Sequence, residues 1–323
     1  MRPSLFTEPH AGATYDDQLR FVRLAEECGF EGVLRADHYQ SMGANAGLPG
    51  PTDAWVTLAG LARETSRIRL GTLVSSATFR LPGPLAVMVA QLDQMSGGRI
   101  ELGIGAGWYE REHRSYGIPF PPLGERFDRL EEQLAVLTGL WSTPAGQRFT
   151  HHGIHYRLVD APALPQPVQV SGPPIIIGGR GTRRTPRLAA RYGDEFNMPF
   201  TTVAATAAAY ERVAEACDRF DRADTGRGPL TLSAGIVVAV GRTDAEAQRR
   251  AAPLHVPSAL PPEAPVIGSP AQLVDQLGRF AAIGTTRAYL RLPDMADLDH
   301  LELIADEVLP QLDADTLVGA GVQ

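Results

Sequence analysis

The chain of 323 residues contains no lysine: all 30 of its basic residues are arginines. That absence excludes a lysine Schiff base and a catalytic lysine amine. Cysteine is scarce as well. Cys28 and Cys217 are isolated, each in a helical pattern, and read as buried thiols of a reducing compartment rather than a disulfide or redox pair. No apolar run approaches the roughly 18 residues of a membrane helix. The opening stretch MRPSLFTEPHAGATYDD lacks the apolar core of a signal peptide, so a cytoplasmic protein is expected. Net positive charge is missing too, and a formal charge of -7 argues against nucleic acid or an anionic membrane as the main partner. There is no G-x-S-x-G elbow, no Walker A loop, no H-E-x-x-H helix and no repeat with a period of about 20–50 residues.

What is present is an alternation of strand and helix patterns from end to end. Strands are expected at Arg2–Glu8, Gly32–Ala36, Ile68–Ser75, Arg99–Gly105, Ile175–Gly179, Glu195–Pro199, Leu230–Val240 and Arg287–Leu292. Helices are expected at Tyr15–Cys28, Ala54–Glu64 (capped by Thr52 or Asp53), Pro84–Met95, from about Leu123 to Leu140, and at Thr185–Tyr192, Val203–Phe220, Asp244–Leu254, Pro270–Ile283 and Leu298–Leu312. Eight βα units in a chain of this length suit an α/β protein of the (β/α)8 TIM-barrel type with insertions better than a doubly wound open sheet. No linker separates two compositions, so residues 1–323 are expected to form one barrel domain. A hairpin insertion near 147–173 (Phe149–Leu158, turning at Gly153) and a Pro-rich insertion near 253–268 interrupt it. The substrate would be selected by these pieces and by the loop Ser41–Pro51.

In such a barrel the active site is built from residues just beyond each strand. After the first strand comes Glu8, followed by Pro9 and His10. After the second come Asp37, His38 and Tyr39, a carboxylate beside an imidazole, which suits general acid–base work. The third strand runs into Val74, Ser75, Ser76, Ala77 and Thr78, small hydroxylated residues that let a ligand approach and can donate to polar ring edges. The fourth ends in Gly103-Ile104-Gly105-Ala106-Gly107-Trp108-Tyr109. Its spacing is not the dinucleotide fingerprint; the glycines clear room for a planar group and the two aromatics wall it. After the fifth come Gly178, Gly179, Arg180, Gly181 and Thr182, then a helix with Arg183, Arg184 and Arg187. A Gly-rich turn at a helix start presents unpaired N–H groups to phosphate, and guanidiniums add bidentate donors. The two loops together describe a phosphate-bearing cofactor with a flat, partly apolar head. His151, His152 and His155 lie in the hairpin, away from the strand ends and without a nearby Cys, so no metal site is assigned.

The segments GTLVSSATFR, LDQMSGGRIELGIGAGWYEREHRSYGIPFPPLGERFDRLEE and PIIIGGRGTRRTPRLAARYGDEFN resemble the bacterial luciferase-like superfamily. They are most similar to the branch that uses the deazaflavin coenzyme F420 in place of FMN. The resemblance runs over most of residues 3–310 and implies a luciferase-like (β/α)8 barrel. It also implies a bulge with a non-proline cis peptide at Leu73-Val74, with Ser75 and Ser76 beside it, that props the deazaflavin ring. Asp37-His38 and Glu8 match the family's acid–base positions, Gly178-Gly179 its phosphate loop, and Asn197 and Met198 would lie under or beside the ring. One departure stands out: the sugar-phosphate dehydrogenase branch has a catalytic glutamate where this chain has Trp108. Sugar-phosphate chemistry is therefore not expected, and the proton donor is expected to be His38, assisted by Asp37 or Glu8, or Glu8 itself.

The leading expectation is an F420-dependent oxidoreductase passing a hydride between the deazaflavin and an activated C=C, C=N or C=O carbon of a small molecule. The alternatives are an FMN-dependent luciferase-like monooxygenase and a non-catalytic flavin-binding protein. A homodimer follows from the resemblance alone.

Overall fold

The computed structural model describes residues 1–42, 47–222, 227–254, 261 and 264–312. In chain order the elements are β1 (Arg2–Thr7), α1 (Tyr15–Glu27), β2 (Gly32–Arg35), α2 (Ala54–Glu64), β3 (Arg69–Ser76), α3 (Pro82–Ser96), β4 (Ile100–Gly105), α4 (Glu110–Ser115) and α5 (Leu123–Ser142). Then come β5 (Phe149–His152), β6 (Arg157–Ala161), β7 (Ile175–Gly178), α6 (Arg184–Tyr192), β8 (Glu195–Met198), α7 (Val203–Arg219), β9 (Thr231–Val240), α8 (Asp244–Ala251), β10 (Val266–Gly268), α9 (Pro270–Ala282), β11 (Arg287–Arg291) and α10 (Leu298–Glu307). Eight parallel strands pair in the order β9-β11-β1-β2-β3-β4-β7-β8, and the ring closes where Glu195–Met198 of β8 lies against Thr231–Ala234 of β9.

Local chemistry sets the element ends. Asp53 caps α2 by accepting the N–H groups of Trp55 and Val56 at 2.9 and 3.0 Å. Pro82 starts α3 two residues earlier than expected, its fixed φ suiting the first helical position. Gly97, at φ +70°, stops that helix. Three elements escaped the sequence reading: the 3-10 turn Pro9–Ala11, the short helix α4, and β10, three residues that pair in parallel with β9 at Val238–Val240. The hairpin β5–β6 is held by Glu132 of α5, whose carboxylate accepts the N–H groups of Ile154, His155 and Tyr156 at 2.8–3.0 Å. Most of the expected Pro-rich insertion (255–260 and 262–263) and residues 43–46 of the Ser41–Pro51 loop lie outside the described residues.

Strand side chains alternate between the helices and the barrel lumen. The helix-facing set, with Leu70, Leu102, Ile104, Ile175 and Phe196, forms the main core against α1–α3, α5–α7, α9 and α10. The lumen is layered. Its lower layer is ionic: Arg287 donates to Ser4 Oγ (3.1 Å), Glu101 Oε2 (2.7 Å) and Glu195 Oε2 (3.1 Å), all buried. Above it Phe6, Leu34, Leu73, Ile176 and Tyr289 form an apolar plug, topped by half-buried Val74 and Phe200. Closed below by ions and filled at the middle by hydrocarbon, the barrel offers chemistry only at its C-terminal mouth.

Candidate active site

The floor of the mouth is made where β3 bulges. Thr72 pairs with Leu102 but Ser75 with Ile104, so β3 carries one extra residue, and the Leu73-Val74 peptide is cis, as the resemblance implied. Val74 stands among the glycines of neighbouring strands. A Cβ on Gly178 would meet Val74 Cγ1 at 2.9 Å, one on Gly103 at 3.0 Å, and one on Gly105 would meet Val74 Cγ2 at 3.1 Å. Gly103 and Gly105 were expected to make room directly for a planar ligand, and Gly178 to belong to the phosphate turn; what occupies the room beside all three is the Val74 side chain, which becomes the apolar floor. Phe200, missed in the sequence, leans on Phe6 with ring centroids 5.4 Å apart. Its ring lies about where Gly235 lacks a side chain (3.1 Å from an added Cβ). Leu73 points into the plug below.

His38 follows β2 at the same C-terminal end of the barrel. Its Nδ1 is 2.9 Å from Glu112 Oε1, and Glu112 Oε2 accepts the Tyr39 N–H at 2.8 Å. An ionised carboxylate only accepts, so His38 carries its proton on Nδ1 and leaves Nε2 for the mouth. The partner is thus Glu112, 1% exposed, and not Asp37 or Glu8 as expected. Asp37 is turned away: it accepts from Ser75 Oγ (2.6 Å) and is ion-paired to Arg80, which also reaches Asp53 (3.0 Å) and Tyr39 Oη (3.2 Å). Glu8 is ion-paired to Arg291. Buried His10 packs edge-on against His38 at 5.4 Å; burial, with His38, Arg35 and Arg291 nearby, pushes its pKa down to about 3, so it stays neutral. Trp108 and Tyr109 reach the other side of His38, at 5.8 and 6.3 Å edge-on, and Tyr109 Oη donates to Ser41 O at 3.4 Å.

The hydroxyls after β3 are committed to the protein rather than to a ligand. Ser75 Oγ accepts from Trp55 Nε1 at 3.3 Å while donating to Asp37. His113 Nδ1 donates to the Tyr109 carbonyl at 2.7 Å, so its Nε2 faces Thr78 Oγ1 at 2.6 Å as acceptor, and Thr78 in turn lies 2.6 Å from Ser76 Oγ. This chain ties β3 to α4. Ala106 is partly buried against the main core. Gly107, at φ +79°, has no room for a Cβ, which would stand 2.2 Å from Ser76 Oγ. Sequence reasoning missed Glu112 and His113 because they sit in a run of charged residues. A usable signal was present: Tyr109, Glu112, His113 and Tyr116 fall at i, i+3, i+4 and i+7, one helix face.

Beyond β7 the turn Gly178–Gly181 leads into α6. Gly179 has φ +140°, and the Arg183 N-cap supplies no side-chain bond to the helix, so the first N–H groups of α6 are left for another acceptor. The arginines are mostly committed elsewhere. Arg180 donates to the carbonyls of Pro199 and Phe200 at 2.6–3.2 Å. Arg184 pairs with Asp128 and Arg187 with Glu131, both on α5. Arg183 is exposed at the helix start. Asn197 Nδ2 donates to Ser233 Oγ at 2.9 Å inside the barrel wall. Met198 packs on the helix side in the main core; strand alternation points it away from the mouth, which corrects its expected place beside a ring.

Comparison with known proteins bears on the chain's family and fold. The family model described as "Luciferase-like monooxygenase" matches residues 2–265. Among curated relatives, an F420-dependent glucose-6-phosphate dehydrogenase of Microbacterium testaceum is 37% identical over 182 residues, 56% of this chain and 52% of the relative. An F420-dependent hydroxymycolic acid dehydrogenase of Mycobacterium tuberculosis is 32% identical over 249 residues, 74% of this chain and 62% of the relative. The chain thus spans about half the length of the first of these relatives. The same barrel occurs in a solved F420-dependent secondary alcohol dehydrogenase in complex with an F420-acetone adduct, with TM-score 0.79, 19% identity and coverage of 95% of this chain and 98% of that one.

Proposed function

Because this chain belongs to the luciferase-like monooxygenase family, we propose that it is an oxidoreductase that moves a hydride between coenzyme F420 and an activated carbon of a small molecule. The observation that carries this reading is the His38–Glu112 pair just beyond β2 and β4, at the barrel end where the Val74 floor and the helix start without a side-chain cap also follow strands β3 and β7. The residues fit such a cofactor. Val74 and Phe200 offer an apolar seat for a flat head. The Gly178–Gly181 turn and the start of α6 offer N–H groups to an anionic tail, with Arg183 beside them. Bound there, the deazaflavin would supply two-electron hydride chemistry.

The chain's own residues do the rest. His38 Nε2 takes the hydroxyl proton as an alcohol loses its C–H electron pair, and returns it when a carbonyl is reduced. Glu112 holds the Nδ1–H and stabilises the imidazolium that forms, a division of labour worth about 10²–10⁴ in rate. Asp37, through Ser75 and Arg80, holds the His38 segment against β3. Glu8 and Arg291 neutralise each other at the rim. A homodimer belongs to the same reading, supported by exposed apolar Val56 on α2 and Val87 on α3, as does a reducing, cytoplasmic setting, supported by two free cysteines.

The test is a fluorescence titration of the purified protein with F420 and with FMN. The reading expects F420 to bind at least about tenfold more tightly, a difference of about 1.4 kcal/mol. Tight FMN binding without F420 affinity points instead to the FMN monooxygenase reading that the family's name carries.

A further inference from the structure

Resting on the reading just given, we propose that Trp108 determines substrate specificity, and that the substrate is an uncharged molecule with an apolar body beside its reacting carbon. The chain has three tryptophans. Trp55 and Trp141 are 2% and 4% exposed, whereas Trp108 is 64% exposed. Large exposed aromatics at a concave site are contact surface for a ligand. The ring contacts of Trp108 are with Tyr109, tilted at 5.4 Å, and with His38, edge-on at 5.8 Å. A molecule whose oxygen meets His38 Nε2 therefore brings its non-reacting part against the indole. The Val74 floor lies among β3, β4 and β7, so it, and not Trp108, is the seat of the cofactor's flat head.

Charge decides the rest of the substrate class. All 30 cationic side chains of the protein fall within the described residues, so the fate of those around the mouth can be followed. Arg291 is spent on Glu8 and Arg80 on Asp37 and Asp53. Buried Arg35 is held by Gln18 (2.9 Å) and the Thr52 carbonyl (2.8 Å). Arg126 donates to the carbonyls of Gly107 and Pro121 with its guanidinium over Phe120. Of the nearby carboxylates, Glu112 holds His38, Glu8 holds Arg291 and Asp37 is turned to Ser75 and Arg80. A sugar phosphate needs uncommitted guanidiniums or ammoniums at its anionic end; the arginines just named already hold acceptors, and the exposed Arg111 and Arg114 lie on α4 and Arg183 at the start of α6. A neutral, apolar-bodied alcohol or ketone needs none of them and packs on the Trp108 ring.

The experiment uses the whole protein with F420, and the variants W108A and W108F. Substrates are 2-propanol, cyclohexanol, 1-phenylethanol and glucose-6-phosphate, with F420 affinity measured separately. Wild type is expected to favour 1-phenylethanol over glucose-6-phosphate by at least about 100-fold in kcat/KM. W108A should lose about tenfold on 1-phenylethanol, mostly in KM, with F420 affinity within about threefold and W108F close to wild type. Independently of turnover, the emission difference between wild type and W108F, which isolates Trp108, should shift to the blue on adding a neutral alcohol and not on adding glucose-6-phosphate. Glucose-6-phosphate as the equal or better substrate overturns the proposal. So does a W108A defect confined to F420 affinity, or an indole emission that ignores every alcohol. Failure to bind F420 sinks the preceding reading instead, and the emission shift still decides this one.

Discussion

Glu112 shows how much a single buried carboxylate can settle. It accepts both the His38 Nδ1–H and the Tyr39 N–H, so it fixes the tautomer, the ring plane and the charge stabilisation of the residue that moves the proton. Glu112→Gln keeps the size and loses the charge. Its kcat should fall about 100-fold. Glu112→Gln should leave F420 affinity within about threefold, because Glu112 contacts His38 and the Tyr39 N–H. Steady-state kinetics with F420 affinity in parallel check this; an unchanged kcat, or equal losses in both, would contradict the role. At this scale Glu8, Asp37 and His38 were named from the sequence because residues just beyond barrel strands gather at the C-terminal end. Their pairings were not legible. Glu112 is 74 positions from His38, and nothing local marks which carboxylate will meet which ring. The same holds for Asp37, whose side chain is committed to Arg80 and Ser75 instead of to its sequence neighbour.

Strands and helices were read more surely, because periodicity is a local property. The eight barrel strands and α2 were placed within a residue or so, since apolar runs ending in glycine or in a cap carry their own boundaries. Two of the misses have plain physical reasons. β10 spans three residues, too few to show a period of two, and α4 is a charged stretch whose buried face consists of Glu112 and His113. The glycines of β4 and β7 carry a clear consequence at this scale. A Cβ on Gly103 would lie 2.1 Å from the Thr72 carbonyl oxygen, a backbone atom that cannot step aside without parting β3 from β4. Gly103→Ala should cost about 2 kcal/mol or more. Gly124→Ala, near the start of α5 with nothing within 4 Å, should instead gain about 0.5 kcal/mol by restricting the unfolded chain. Thermal midpoints of the two variants against wild type measure the contrast; equal midpoints would contradict the close packing of the strand ends.

Across the whole molecule, the barrel buries neutral histidines, and this ties stability to pH. Burial pushes the pKa of His10 down to about 3 and that of His300, which accepts the Val240 N–H at 3.1 Å, down to about 4. Both titrate near 6.5 in the unfolded chain. Between pH 6.5 and about 4 the unfolded state therefore binds more protons than the folded one. Stability should fall as pH is lowered through that window, by up to about 1.4 kcal/mol per pH unit for each group. Urea unfolding at pH 7, 6 and 5 isolates the effect, because ordinary carboxylates release their protons below pH 5; a flat midpoint over that range would contradict it. The architecture itself was legible at this scale from the βα rhythm, while the layering of the lumen was not, since Arg287, Glu101 and Glu195 meet only once the ring closes. What the whole account turns on is His38 as the group that moves the proton at the barrel mouth without holding the cofactor. Single-turnover hydride transfer and F420 affinity, measured together in wild type and His38→Ala, test it most directly. Transfer should slow by about 100-fold or more while affinity changes by less than about threefold; equal losses in both would contradict the assignment.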